Sequence, residues 1–111
     1  MATATWIDRG AEREVRVRGD LDHGGCDEVA PSVDEALGAG ATILVRMEGV
    51  GSICSRGVTM LLGAYHRLLR EGRTLKLAGL RPQVREVLER LGVFQAVPEW
   101  GPEGVAARRD L

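Results

Sequence analysis

The stretch ATILVRMEGVGSICSRGVTMLLGAYHRLLREG, residues 41–72, decides the fold class. It opens on Ile43-Leu44-Val45, a continuous apolar run with β-branched residues, which marks a central strand buried on both faces. Glu48-Gly49-Val50-Gly51-Ser52 then reads as a loop. From Ser55 to Arg70 the apolar residues Val58, Leu61, Leu62, Tyr65, Leu68 and Leu69 recur at helical spacing and form a wide stripe. Gly72 terminates the helix. A buried strand that feeds an amphipathic helix is half of a β-α-β unit, so a parallel sheet with packed helices is predicted.

The flanks extend the same pattern. Upstream, Ala2 to Asp8 suits an extended chain through Thr3, Thr5 and Ile7. Arg9-Gly10 signals a turn, and Glu14-Val15-Arg16-Val17-Arg18 alternates polar and apolar, with Val15 and Val17 facing in. So short a link predicts an antiparallel hairpin at one edge of the sheet. After Gly19-Asp20-Leu21-Asp22 and His23-Gly24-Gly25, the residues Val29, Val33, Ala36 and Leu37 fall at helical spacing. Pro31 fits a first turn and is costly deeper, so a late start or a kink is predicted there. Gly38 and Gly40 end this helix.

Downstream, Thr74 to Leu77 is a short strand with Leu75 and Leu77 inward. Pro82 opens a third helix with the face Val84, Val87, Leu88 and Leu91, capped by Gly92. Val93 to Val97 is read as a last strand, Pro98 to Pro102 as a turn, and Glu103 to Asp110 as a terminal helix. The whole is an α/β fold: a mixed, mostly parallel sheet of four to five strands, with an N-terminal edge hairpin and packed helices. The predicted core is Val15, Val17, Val33, Leu37, Ile43, Val45, Leu61, Leu62, Leu75, Leu77, Val84 and Leu88.

A chain of 111 residues is expected to form one domain, 1–111. With 44% hydrophobic and 28% charged residues it is not a disordered composition. A formal net charge of −1 with no basic tract argues against nucleic-acid or membrane-surface binding. The longest apolar runs, such as Met60-Leu61-Leu62, are too short to span a bilayer, and no signal-peptide core opens the chain, so a cytoplasmic location is expected. Cys26 and Cys54 do not make a disulfide framework, and free thiols are expected.

Little in the chain carries catalytic chemistry. There is no phosphate-binding loop, no G-x-G-x-x-G after a strand and no C-x-x-C. His66 falls on the polar side of the long helix. His23 lies beside Asp20 and Asp22, but neighbours in an irregular loop rarely converge on one ion, so no metal and no cofactor are predicted. Cys54 beside Arg56 at a helix start has the setting of a reactive thiol, although an inert cysteine is the commoner case. The informative segment is Ser52-Ile53-Cys54-Ser55-Arg56-Gly57. A helix N-terminus offers free N–H groups and partial positive charge, which suits an anion or a phosphorylated side chain. The plain alternative is that Ser55 only caps the helix.

Gly19-Asp20-Leu21-Asp22 after the second strand, Ile43-Leu44-Val45 in the third, and Ser55-x-Gly57-Val58-x-x-Leu61-Leu62 opening the long helix together resemble a STAS domain. Leu75-Lys76-Leu77-Ala78-Gly79-Leu80, Val84-x-x-Val87-Leu88 and Leu91-Gly92-Val93-Phe94 continue the match, which covers residues 12–100. It is most similar to the bacterial anti-sigma factor antagonists. The resemblance implies a regulatory protein rather than an enzyme. Its partner would be an anti-sigma factor, often itself a serine kinase, and a phosphatase would restore the phosphorylated form. Ser55 falls on the family's phospho-acceptor position, Gly57 on the motif glycine and Asp22 on the acidic residue of a loop near the partner. The implied partner surface comprises Asp20, Asp22, His23, Ser52, Cys54, Arg56 and Gly57. Three positions depart from the pattern: Cys54 stands for an aspartate, Arg56 for a second hydroxyl residue, and Arg46 for an aspartate in the third strand. These departures keep open an alternative, a phosphorylation-independent scaffold or ligand-sensing STAS module.

Overall fold

In the computed structural model, which describes residues 1–97 and the backbone of 99–100, β1 (Thr3–Arg9) and β2 (Glu12–Arg18) form the expected antiparallel hairpin, with Trp6 opposite Val15. β2 lies parallel to β3 (Thr42–Gly49), Val15 beside Val45. β3 in turn lies parallel to β4 (Thr74–Ala78), Val45 beside Leu77. A short β5 (Glu99–Trp100) adds to the far edge, giving the order β1-β2-β3-β4-β5. The crossovers are α1 (His23–Ala36), α2 (Ser55–Arg70) and α3 (Pro82–Arg90). Among the described residues no helix is long and apolar enough to cross a membrane.

The alternation read from the sequence sets the two faces of the sheet. Val15, Val17, Ile43, Val45, Leu75 and Leu77 are buried on one face. Val58, Leu61, Ala64 and Leu68 of α2 are buried in the same core, which Val84 and Leu88 of α3 also join. The void left between α1, α2 and the sheet is only about 20 Å³, enough for one water and not for an organic ligand. The opposite face is charged. Glu14, itself buried, accepts from Arg9 at 2.9 Å and from Arg16 at 3.2 Å, and lies 3.6 Å from Arg46.

Four details of the sequence reading change. α1 starts at His23, ahead of the boundary inferred from Pro31, and runs through that proline. The cause is Asp22, whose extended backbone and carboxylate cap the helix by accepting from the Gly25 N–H at 2.7 Å. Proline brings no N–H for the carbonyl of Asp27, a residue at the surface where water can serve instead. Val33 and Leu62 are half-buried rather than core, and Leu69 is 52% exposed. Val93–Gln95 is a 3₁₀ turn, not a strand, although Val93 and Val97 are fully buried as a strand reading would also require. The chain pairs instead at Glu99–Trp100, inside the predicted 98–102 turn; the terminal helix read at 103–110 lies outside the described residues.

Two arginines hold the end of α1 that faces away from its capped start. The buried Arg13 donates to the Ala36 carbonyl at 3.1 Å and to Asp8 at 2.6 and 3.2 Å, and it lies 3.8 Å from the centre of the Trp6 ring. Arg73 donates to the carbonyls of Leu37 at 2.7 Å and Gly40 at 2.8 Å. Carbonyls left without partners at a helix end are thereby satisfied.

Two measurements check this packing. Leu61, 5% exposed on the inner face of α2, should cost about 2–3 kcal/mol when cut to alanine. A loss under about 0.5 kcal/mol in urea unfolding would place it on the surface instead. The second measurement is pH dependence. The hydrogen bond from Arg13 holds the Asp8 carboxyl below its ordinary value. Burial works to raise Glu48, but the hydrogen bond from Arg46 and the charges of Arg46 and Arg16 outweigh it, so Glu48 is also lowered. A carboxylate lowered in the folded state contributes stability above its unfolded pKa and loses it as pH falls through the folded value. Unfolding midpoints should therefore drop below about pH 4.5, where unfolded carboxyls begin to take protons. Asp8→Asn should show a shallower acid decline than the wild type.

Candidate functional site at the paired helix starts

The loops that lead into α1 and α2 run side by side because the sheet pairing continues past the ends of β2 and β3. Gly19 donates to Gly49 O at 2.9 Å, Leu21 donates to Ser52 O at 2.9 Å, and the Cys54 N–H returns to Leu21 O at 3.0 Å. Leu21 and Ile53 form an isolated parallel bridge, and both are buried. Two apolar residues inside polar loops thus pin Asp20-Leu21-Asp22 against Ser52-Ile53-Cys54.

Glycines let the helices sit directly on this ladder. A Cβ at Gly25 would lie 1.9 Å from the Asp20 carbonyl oxygen. A Cβ at Gly57 would lie 2.7 Å from Ile53 Cγ1 and 3.2 Å from Leu21 O. Glycine at each position follows from close packing: against the Asp20 backbone at Gly25, and against the Ile53 side chain at Gly57. Gly57, which the sequence reading places on the partner surface, is buried.

The α2 start differs from the simple capping reading. Cys54 is the N-cap, in extended conformation and with no side-chain capping bond; its carbonyl accepts the first helical bond from Val58 at 3.1 Å. Ser55 is the first helical residue and is exposed. Its hydroxyl is therefore not the cap. It sits beside free helical N–H groups, at the positive end of a helix whose first turn carries no acidic residue.

Around Ser55 the structure exposes Asp20, Asp22, His23, Ser52 and Arg56, while Cys54 is half-buried. Asp22 is occupied as the α1 cap, and His23 is the first residue of that helix rather than a loop residue. Arg56 is tied to Asp27 of α1 by a short ion pair across the helix starts. Sequence reading missed Asp27, because a polar residue on an exposed helix face carries no signal of what lies opposite. Cys26 near the start of the first helix and Cys54 near the start of the second share one end of the sheet, as their positions in the sequence suggest. The Cys26 thiol is buried, 3.8 Å from Leu21 O, and burial pushes its pKa up, reinforced by the Cys54 thiol and opposed by Arg56. Both cysteines are free thiols. No group of three metal-ligating side chains occurs among the described residues. His66 is exposed and stacks edge-on with Tyr65 at 5.6 Å. Arg46 pairs with Glu48 at 2.5 Å on the charged sheet face and takes no part in the Ser55 cluster.

Known proteins share this fold. The curated anti-sigma F factor antagonist of Paenibacillus polymyxa is 28% identical over 91 residues, 80% of this chain and 78% of that protein. The unphosphorylated anti-sigma factor antagonist SpoIIAA superposes with a TM-score of 0.73 at 23% identity, covering 90% of each chain. An anti-sigma factor antagonist from Mycobacterium paratuberculosis gives 0.74 at 19% identity, over 89% of this chain and 85% of that one. The phosphorylated form of Bacillus SpoIIAA gives 0.66 at 22% identity, over 90% and 93%. At these identities the structural matches speak for the fold. The family model described as Mlab, STAS domain matches residues 8–98, most of the sheet and all three helices. The chain belongs to the STAS domain family.

Proposed function

We propose that this protein is an anti-sigma factor antagonist: it binds an anti-sigma factor, frees the sigma factor that partner holds, and is switched by phosphorylation of Ser55. The observation that carries the reading is the exposed hydroxyl of Ser55 at the first position of α2, framed by Asp20, Asp22, His23 and Ser52. A hydroxyl there is open to a kinase. The phosphate it would receive brings close to two negative charges, which the helix start and Arg56 accommodate within this chain. The partner would be an anti-sigma factor with serine-kinase activity, and a phosphatase would return Ser55 to its free form. The named relative supports this reading.

A second reading rests on Cys54, Arg56 and Arg46, which stand where the related motif has an aspartate, a hydroxyl and an aspartate. On that reading the chain is a STAS scaffold that docks without switching. One experiment separates the two. Kinase-type anti-sigma factors from the same genome are incubated with the protein and ATP, and intact mass is recorded. The switch predicts one added phosphate, mapped to Ser55 and absent from Ser55→Ala. A partner that binds wild type stably yet never labels it supports the scaffold.

A further inference from the structure

Cys26 in the first turn of α1 and Cys54 at the cap of α2 converge on one backbone atom. The Leu21 carbonyl oxygen accepts the Cys54 N–H at 3.0 Å and the Cys26 thiol at 3.8 Å. Cys54 lies near enough to reinforce the upward push on the Cys26 pKa. Their environments differ: Cys26 is 2% exposed, while Cys54 is half-buried and is the sulfur a dissolved oxidant reaches. The backbones around them are fixed by the Leu21–Ile53 bridge and by the packing of Gly25 and Gly57, so the pair is held together rather than meeting by chance.

We propose that Cys26 and Cys54 are a reversible dithiol–disulfide couple, oxidised by peroxide, whose closed form ties the first turn of α1 to the cap of α2. In the first step the Cys54 sulfur, as thiolate, attacks one oxygen of hydrogen peroxide. The O–O bond breaks, Cys54 becomes a sulfenic acid, and the departing hydroxide takes up the thiol proton as water. In the second step the Cys26 sulfur attacks the Cys54 sulfur, the S–O bond breaks, and the hydroxyl leaves with the Cys26 proton as a second water. Two thiols lose two electrons and the peroxide is reduced to two waters. Burial keeps Cys26 protonated until that second step, which suits a resolving thiol. On the reading of Ser55 given above, closure fixes the two helix starts that frame the hydroxyl; the sulfur chemistry itself depends on no partner.

The test treats the folded, full-length protein with hydrogen peroxide, blocks remaining thiols by alkylation in denaturant and maps tryptic peptides. The expected product is a monomer with both thiols lost together, in a cross-link joining residues 19–46 to residues 47–56 and reversed by dithiothreitol. In Cys54→Ser, a change at a half-buried position, Cys26 should survive peroxide as a free thiol. In Cys26→Ala, Cys54 should proceed to sulfinic acid or to a linked dimer. The proposal is overturned if wild type yields over-oxidised Cys54 beside an alkylatable Cys26, if it yields only disulfide-linked dimers, or if Cys26 reacts as fast in Cys54→Ser as in wild type. All these outcomes read sulfur alone, so they stand apart from whether any kinase labels Ser55.

Discussion

Gly25→Ala is expected to destabilise the protein by about 4 kcal/mol, near the upper end of single-substitution effects. The added Cβ would be placed 1.9 Å from the Asp20 carbonyl oxygen and 3.2 Å from Asp22 Oδ1. Neither neighbour is the free end of a flexible chain: one is backbone, and the other is the capping carboxylate that accepts from the Gly25 N–H. Relief requires that α1 withdraw from the Asp20–Asp22 loop. Withdrawal adds the loss of the cap, about 0.5–2 kcal/mol, to the overpacking cost. Two other helical glycines serve as controls. Gly24→Ala meets only Asp22 Oδ1 at 3.8 Å, an ordinary contact, and should be close to neutral. Gly63→Ala, within α2 and with nothing within 4 Å, should stabilise by about 0.5–1 kcal/mol through helix propensity. Urea midpoints of the three variants check this ordering. A Gly25→Ala protein as stable as wild type would mean that α1 does not dock on the loop as described.

The contrast between Gly24 and Gly25 shows where sequence reading stops. As a pair they read as a loop, and only the position of the Asp20 carbonyl tells them apart. Local pattern was enough for the sheet: alternation in 14–18, the apolar run at 43–45 and the helical stripe in 58–68 each report which side is buried, and burial sets register. It was not enough where long-range contact overrides propensity. Pro31 suggests a boundary, but the Asp22 cap and the buried Cys26 and Val29 carry the helix ahead of it. At Val93–Val97 the strand reading failed, since β-branched residues bury equally well in a 3₁₀ turn. At the site, the position of Ser55 was legible from its neighbours. That Cys54 is the cap and that Arg56 is held by Asp27 follow from how two helix starts are joined through Leu21 and Ile53, residues a reading of polar loops passes over.

Phosphorylation of Ser55 should weaken partner binding by about 100-fold while leaving the fold intact. The chain itself has little to lose. Ser55 caps nothing, so neither the phosphate nor Ser55→Ala removes a helix-closing bond, and both forms should unfold within about 0.5 kcal/mol of wild type. The free N–H groups of the first turn lie beside the new charge, and Arg56, next in sequence, can trade its ion pair with Asp27 for one with the phosphate. The partner meets the cost. On the reading proposed above, the partner would meet a neutral hydroxyl near the exposed carboxylates of Asp20 and Asp22. Nearly two further negative charges there would exceed what a surface complementary to those carboxylates can pair and would leave the phosphate poorly solvated. Such mismatches cost several kcal/mol, and 100-fold corresponds to about 2.7 kcal/mol. Ser55→Ala should bind within about twofold of wild type, because it removes only a small uncharged group and adds no charge. Ser55→Asp adds a single charge on a shorter arm and should fall between the two. Titration calorimetry of the three forms against the anti-sigma partner, beside their urea midpoints, reads both halves of the argument. Equal affinity in all forms would reassign the chain to the non-switching scaffold, with Arg56 neutralising on this side of the interface whatever charge Ser55 acquires.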